Sequence, residues 1–230
     1  MSLEENIRTV MENIARSARE VGRDPKEITL VAATKTQSDD TIRAAIAVGI
    51  TVCGENRVQE MTAHLDADAY AGAELHFIGH LQTNKVKQVV GRVDMIESVD
   101  SAKLLEAIEK EAAKLNVVQD ILLEVNIGGE ESKSGVAPEE VEELAKLACT
   151  LPHVRLRGLM AIPPSVSEKG NRGFFHKMCE IYVDIKQKID DNRGTIDCLS
   201  MGMSGDYADA VREGATHVRV GTALFGPRGL

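Results

Sequence analysis

Tryptophan is absent from this 230-residue chain, and aromatic residues together make up only 3% of it. A core of ordinary size must therefore be built from Val, Ile, Leu, Ala and Met. The hydrophobic fraction of 43% and the charged fraction of 27% are those of an ordinary globular protein. No stretch reaches 18 consecutive apolar residues, and the charged first 22 residues contain no apolar leader segment.

Cysteine and clustered basic charge are also scarce. The four cysteines, Cys53, Cys149, Cys179 and Cys198, form no Cys-x-x-Cys pair, so reduced thiols in the cytoplasm are the simplest expectation. The formal net charge is −9, which argues against binding to nucleic acid or to anionic membranes. We therefore expect a cytoplasmic protein that binds neither nucleic acid nor membranes. We also expect a monomer, because no apolar surface patch is evident.

Short apolar runs alternate with helical patterns along the whole chain. The runs predict strands at residues 28–34, 50–53, 75–79, 93–98, 119–127, 154–160, 195–200 and 216–221. The patterns predict helices at residues 2–22, 38–49, 55–65, 83–90, 101–116, 137–149, 170–190 and 205–214. Eight βα units in roughly 200–250 residues predict a single (β/α)₈ TIM barrel over residues 1–230, with an extra N-terminal helix. A doubly wound sheet is the alternative, but "ATKTQSDD" lacks its glycine fingerprint.

Polar residues cluster at the C-terminal ends of the predicted strands, where such barrels place their chemistry. Lys35 ends the first strand, and Glu97, Glu124 and Asn126 are among the polar residues at later ends. The turns "SMGMSGDY" and "RVGTALFG" place Ser200, Ser204, Gly221 and Thr222 ahead of helices, a pattern that favours phosphate binding. Arg219 shares one face of the eighth strand with His217 and Gly221, so it is predicted to point inward.

A strand-end lysine beside a phosphate site predicts Schiff-base chemistry with an aldehyde or ketone. The amine of Lys35 must be neutral to react, and desolvation together with nearby cations lowers a lysine pKa. Val31, Ala33 and Arg219 are the residues expected to supply these two effects.

The motifs "AATKT", "GENRVQE", "HFIGHLQTNK", "EVNIGGEESKSGV", "GLMAIPP" and "LSMGMSGDYADAVREGATHVRVGTALFG" occur in order over nearly all of the chain. Together they resemble the pyridoxal-phosphate homeostasis protein family, which is related to the N-terminal barrel of alanine racemase. The resemblance implies a single barrel that holds pyridoxal 5′-phosphate (PLP) as a Schiff base on Lys35. It implies a role in intracellular PLP homeostasis, with PLP-dependent apo-enzymes as further partners.

The resemblance also implies roles for other residues. Ser200, Gly221 and Thr222 are expected to hold the phosphate, and Arg219 to face the pyridine nitrogen. Asn56, Met201 and either His76 or Ile78 lie in segments that resemble ring-contacting ones. Arg57 stands where some family members have tyrosine, so no role is assigned to it. Lys133, in the loop of residues 130–135, is either part of a solvated loop or a lid residue that accepts the aldehyde for transfer.

A carrier, not an enzyme, is the expected function. An arginine at the ring nitrogen leaves that nitrogen unprotonated and weakens the cofactor as an electron sink. Racemisation needs a second acid/base, and none of Tyr70, Tyr182 and Tyr207 ends a predicted strand; the chain also ends directly after the predicted barrel. A weak amino-acid racemase and a class I aldolase-like lyase remain as alternatives. His76 and His80 lack a metal-site motif, so no metal is expected.

Overall fold

Eight parallel strands form a closed barrel in the order of the sequence, with β8 pairing to β1. The computed structural model describes residues 2–130, 133–164, 170–189 and 196–227. The strands are β1 (Thr29–Ala33), β2 (Val52–Glu55), β3 (Glu74–Phe77), β4 (Met95–Val99), β5 (Gln119–Val125), β6 (Val154–Ala161), β7 (Cys198–Ser200) and β8 (His217–Val220). The predicted (β/α)₈ barrel is therefore confirmed.

The helices occupy the outside of the barrel. They are α1 (Leu3–Glu20), α2 (Asp39–Ala47), α3 (Val58–Asp66), α4 (Ala102–Leu115), α5 (Val141–Thr150), α6 (Arg172–Lys188), α7 (Tyr207–Arg212) and α8 (Thr222–Phe225). Short 3₁₀ turns cover Pro25–Glu27, Thr83–Gln88 and Pro138–Glu140. Within the described ranges, none of the helices has both the length and the apolar character needed to cross a membrane.

The largest differences between predicted and observed elements lie at residues 83–90 and 195–200. In place of the α-helix predicted at residues 83–90, the structure has a 3₁₀ turn over Thr83–Gln88, in which Val86 is buried, and the C-cap residue Val89 is buried three positions later. β-Branched side chains lower the helix propensity of this segment. The seventh strand is shorter than predicted, and Thr195, its predicted first residue, lies outside the described residues.

The N-terminal helix α1 begins with a capping box between Ser2 and Glu5 and buries an apolar stripe that includes Ile7, Val10 and Ile14. Its polar side reaches the last part of the chain. Asn6 Nδ2 donates to the carbonyl oxygen of Leu224 at 2.9 Å, within α8. The extra helix therefore helps to hold the segment that follows β8 in place.

Side chains alternate along each strand, so the barrel has two separate apolar regions. The larger one lies between the strands and the surrounding helices. Inside the barrel, Val31, Ala33, Val52 and Ile78 form one small cluster, and Met95, Leu122, Met160 and Cys198 form another. Buried polar side chains of β3, β4, β7 and β8 also point into the interior, which is therefore partly polar.

A bulge in β6 depends on Gly158. Ile121 pairs with Leu156 and Leu122 pairs with Gly158, so Arg157 is an extra residue in the register. Gly158 has φ of 150°, and a Cβ atom there would lie 1.8 Å from the carbonyl oxygen of Cys198 on β7. Only glycine allows β6 and β7 to pair at this point.

We predict that Gly158→Ala lowers the free energy of unfolding by about 3 kcal/mol or more, because the added methyl group forces the two strands apart. Gly173→Ala, in the first turn of α6 with open space around its Cβ position, is the matched control and should cause no loss. Urea denaturation of both variants measures the difference. Equal stability of the two variants would show that the bulge tolerates a side chain.

Candidate functional site

A cavity of about 360 Å³ opens at the C-terminal end of the barrel, a volume within the usual range of roughly 300–1,000 Å³ for small-molecule sites. Its walls come from the segments that follow β1, β2, β3, β6, β7 and β8. The lining residues are Ala33, Lys35, Thr36, Gln37, Asn56, Ile78, Ile162, Met203, Ser204, Gly205, Arg219, Gly221, Thr222, Phe225 and Gly226.

The charge of the cavity is opposite to that of the protein. Lys35 and Arg219 are the charged residues among the described lining residues, and no aspartate or glutamate is among them. The chain as a whole has a formal net charge of −9. Two cations in a concave site without a carboxylate on its wall favour an anionic ligand.

The backbone beside Lys35 is held in an unusual conformation. Thr36 has φ of 65°, a left-handed value that a β-branched residue rarely adopts. Its N–H donates to Glu60 Oε2 at 3.0 Å, and the neighbouring Thr34 Oγ1 donates to Glu55 Oε1 at 2.6 Å. These contacts stabilise a sharp turn that places Lys35 on the cavity wall instead of continuing the strand. Strain of this kind is concentrated at functional sites.

Asn56, at the end of β2, has an unused acceptor in the cavity wall. Its Oδ1 atom is buried and has no hydrogen-bond partner within the described part of the chain. Gly79 packs directly against it, because a Cβ atom there would lie 2.1 Å from the backbone oxygen of Asn56. A buried acceptor without a partner is costly, so a ligand donor would stabilise it.

Ser204 arranges the turns after β7 and β8. Its Oγ atom accepts hydrogen bonds from the N–H groups of Gly221 and Ala223, each at 3.2 Å. A serine hydroxyl has one proton to donate and two lone pairs to accept with. Both lone pairs are used here, so the hydroxyl proton of Ser204 remains for another acceptor. Thr222 lines the same end of the cavity.

The predicted site residues divide into two groups. Lys35, Asn56, Arg219, Gly221 and Thr222 line the cavity together, as does Ile78 of the predicted pair His76 or Ile78. The others do not line it.

Ser200 and His76 lie inside the barrel, where both are buried. Met201 belongs to the core between strands and helices. Arg57 forms an exposed ion pair with Glu60.

Lys133 is also held away from the cavity wall. Its Nζ atom lies 2.7 Å from Glu130 Oε2 and donates to the carbonyl oxygen of Pro163 at 3.1 Å. Glu131 and Ser132 of the same predicted loop lie outside the described residues. To reach a ligand, the ammonium group of Lys133 would have to leave both contacts.

A buried chain of polar contacts lies beneath the cavity. Ser200 Oγ donates to Glu97 Oε2 at 2.6 Å, and Arg219 Nη1 donates to Ser200 Oγ at 2.6 Å. His76 Nδ1 lies 2.7 Å from Glu97 Oε1. All four side chains are at most 4% exposed. We call these residues, His76, Glu97, Ser200 and Arg219, the interior polar chain.

The contacts shift the pKa values of this chain. Burial raises the pKa of Glu97, but hydrogen bonding and the charge of His76, with the charge of Arg219, outweigh it and lower the pKa to about 2. Burial lowers the pKa of His76, but the carboxylates of Glu74 and Glu97 outweigh it and raise the pKa to about 9. Burial lowers the pKa of His217, whose ring stacks beside His76, to about 4. An imidazolium at His76 and an ionised Glu97 therefore form an ion pair near neutral pH.

Glu97 is the member of the interior polar chain to which the sequence pattern assigns no role. The pattern indicates it only as one of several polar residues at strand ends. The available signal is that Met95 and Glu97 share a face of β4 while Ile96 faces the outer core, so a charged residue must point into the barrel. The described residues contain no cluster of three or more His, Cys, Asp or Glu side chains that could bind a metal ion.

Similarity to known proteins extends over the whole barrel. The family model described as "Alanine racemase, N-terminal domain" matches residues 3–229. The pyridoxal phosphate homeostasis protein of Aquifex aeolicus (strain VF5) is 43% identical over 225 residues, which cover 97% of this chain and 97% of that protein.

Solved structures also share the fold at more than 30% identity, among them the following two. PipY of Synechococcus elongatus PCC7942 with PLP bound has a TM-score of 0.83 and 31% identity, covering 98% of this chain and 100% of PipY. A protein of Bifidobacterium adolescentis, described as unknown, has a TM-score of 0.86 and 36% identity, covering 97% of this chain and 94% of that protein.

The charged state of His76 predicts a pH dependence of stability. Its pKa rises from 6.5 to about 9 on folding, so the stabilisation is fully present below pH 6.5 and is lost as the pH rises through 9. In His76→Asn, the amide can still donate to Glu97 but does not titrate. We predict that the free energy of unfolding of the wild type minus that of the variant falls between pH 6.5 and 9.

Urea denaturation at several pH values measures this difference, in which titrating groups remote from His76 cancel. Parallel pH profiles for the two proteins would contradict a protonated His76.

Proposed function

Because this chain belongs to the pyridoxal phosphate homeostasis protein family, within the family of the alanine racemase N-terminal domain, we propose that it binds PLP in the cavity and serves intracellular PLP homeostasis. The observation that carries the proposal is the cavity wall, on which an amine and a guanidinium stand without a carboxylate among its described residues. PLP has an aldehyde for the amine and a phosphate dianion for the positive field. PipY, which shares this fold at 31% identity, has been solved with PLP bound.

The lining residues fit the parts of this cofactor. Lys35 supplies the amine for a Schiff base with the aldehyde, which makes the cofactor electrophilic and coloured. Ser204 and Thr222 supply hydroxyl donors for the phosphate, beside the glycines of the last two turns. Arg219 supplies N–H donors for the ring nitrogen. Asn56 supplies the buried Oδ1 acceptor that lacks a partner within the described part of the chain.

Ser200 and Met201 are buried behind the cavity and are not assigned a direct contact with the cofactor. The hydroxyl group of Ser200 is occupied by Glu97 and Arg219, and Met201 is fully buried in the outer core. Neither of them lines the cavity. We therefore assign the phosphate contacts to Ser204 and Thr222, with Gly221 shaping the turn between β8 and α8.

We propose a carrier and not a racemase. The chain has three tyrosines, and the hydroxyl group of each is engaged away from the cavity. Tyr70 donates to Glu55, Tyr182 donates to the carbonyl oxygen of Ile196, and Tyr207 accepts from Asn13. None of the three lines the cavity, so none is placed to act as a second acid/base on a bound amino acid.

Delivery to PLP-dependent apo-enzymes by a cytoplasmic monomer completes the proposal. No disulfide joins the four cysteines, and burial raises the pKa of Cys53 to about 12, so this thiol is unreactive. A reducing compartment suits such thiols. Transfer of the aldehyde through Lys133 would require a movement of its loop, since its ammonium group is bound to Glu130 and Pro163.

A class I aldolase-like lyase is the second candidate, because a lysine in a cationic cavity also suits a phosphorylated carbonyl substrate. The two candidates differ in what the lysine carries at rest. A PLP carrier is coloured before any substrate is added, whereas the lyase is colourless and reacts with borohydride only in the presence of substrate.

We predict that the wild-type protein shows a visible absorption band after incubation with PLP, and that borohydride then attaches the cofactor irreversibly to Lys35. Lys35→Ala should lose the band and the attachment, because its side chain has no amine. Absorbance and mass spectrometry of peptides measure both. Lys87→Ala, at an exposed position of the 3₁₀ turn, is the matched control and should behave as the wild type. Attachment at a different lysine would contradict the assignment.

We also predict that the PLP-loaded protein does not exchange the α-proton of alanine for solvent deuterium above the rate of free PLP. The reason is that no tyrosine is placed beside the cavity. Proton NMR in D₂O follows the exchange, with Lys35→Ala in the same concentration of PLP as the background. Steady exchange that requires Lys35 would favour the racemase alternative.

A further inference from the structure

Arg219 is a buried cation that needs a fixed anion. The residue is 4% exposed, and burial lowers the pKa of its guanidinium while Glu97 and Glu124 counteract this effect. Nη1 donates to Ser200 Oγ at 2.6 Å, and Nη2 donates to the carbonyl oxygen of Ala161 at 2.9 Å. A guanidinium has five N–H donors, so these two contacts, the ones made within the described residues, leave donors for a ligand in the cavity.

The carboxylate of Glu97 contacts Arg219 indirectly, through the hydroxyl group of Ser200. Glu97 Oε2 is 3.9 Å from Arg219 Nη1, which is too far for a hydrogen bond, and Ser200 Oγ bridges the two atoms with contacts of 2.6 Å on each side. An ionised carboxylate and a guanidinium fix the direction of both bonds. Ser200 must donate its only proton to Glu97 and accept from Arg219. It therefore has no proton to give to a phosphate.

Glu97 is held from its other side by His76. Its Oε1 atom lies 2.7 Å from His76 Nδ1, so each carboxylate oxygen has one short contact and the group has a single orientation. Glu97 is fully buried, which makes replacement of these partners by water impossible without opening the barrel. The position of Arg219 thus depends on contacts from β3, β4, β6 and β7.

We propose that Glu97 is a positioning residue for the cofactor site, and that Ser200 is the bridge through which it holds the Arg219 guanidinium against the bound pyridine ring. This inference rests on the proposed function, since it concerns the same cavity. It reassigns Ser200 from a phosphate contact to a contact that acts through Arg219. The phosphate contact at this end of the cavity is Ser204, whose hydroxyl proton is left over by its two backbone contacts.

Comparing PLP with pyridoxal distinguishes a serine that contacts the phosphate from a serine that positions Arg219. Pyridoxal is PLP without its phosphate, so a residue that holds only the phosphate changes the affinity for PLP and leaves that for pyridoxal unchanged. A residue that positions Arg219 acts on the ring, which both compounds have. It also changes the electrostatic field at the ring and with it the visible absorption maximum of the bound cofactor.

We expect Ser200→Ala to lower the affinities for PLP and for pyridoxal by a similar factor of about tenfold, the usual effect of losing one hydrogen bond to a charged group. The absorption maximum of bound PLP should shift. Glu97→Gln should shift it as well, because it removes the charge that compensates Arg219. Ser204→Ala is the matched control. It should lower the affinity for PLP by about tenfold and leave the affinity for pyridoxal and the absorption maximum of bound PLP unchanged.

Absorbance titration of the purified full chain with PLP and with pyridoxal measures the affinities and the absorption maxima, and circular dichroism verifies folding. Selective loss of PLP affinity in Ser200→Ala would overturn the inference, as would an unchanged affinity and spectrum. If Glu97→Gln does not fold, Ser200→Ala still tests the inference, because it removes only one oxygen atom and both affinities and the absorption maximum can be measured on it. Absence of PLP binding in the wild type is a separate result, which would overturn the proposed function itself.

Discussion

The ionised carboxylate of Glu97 is the interaction on which the centre of the barrel depends. It lies between His76 and Ser200, and through Ser200 it balances Arg219. Removing one member of a buried pair leaves an uncompensated charge, at a typical cost of about 3–5 kcal/mol. A barrel of this size is usually filled by aliphatic layers. Here part of that filling is polar, and it brings a cation to the wall of the cavity.

The closed sheet converts this local arrangement into a site. Parallel strands end at one face, so Lys35 after β1, Asn56 after β2 and Thr222 after β8 meet although they are distant in sequence. Closure brings β8 beside β1, with Val31 opposite Arg219. The two cations of the cavity therefore come from adjacent strands. The α1 helix supports the same region through Asn6 and the backbone of Leu224.

Several features could be predicted from the sequence because they depend on local patterns. Alternating strands and helices predicted the eight-stranded barrel, and the ordered motifs predicted the family; both are confirmed. The inward direction of Arg219 followed from the two-residue period of a strand. The 3₁₀ turn at Thr83–Gln88 was missed, since a short segment with β-branched residues carries little information about which helix type packs better.

The sequence by itself determined the order of the elements, the strand on which each polar residue lies and the face that it occupies, because these follow from neighbours in the chain. Only the tertiary structure decided which of those residues meet. Ser200 and Ser204 stand four positions apart in one motif, yet one bridges Glu97 and Arg219 inside the barrel while the other lies on the cavity wall. Their difference depends on a carboxylate 103 positions away from Ser200, which local patterns cannot specify.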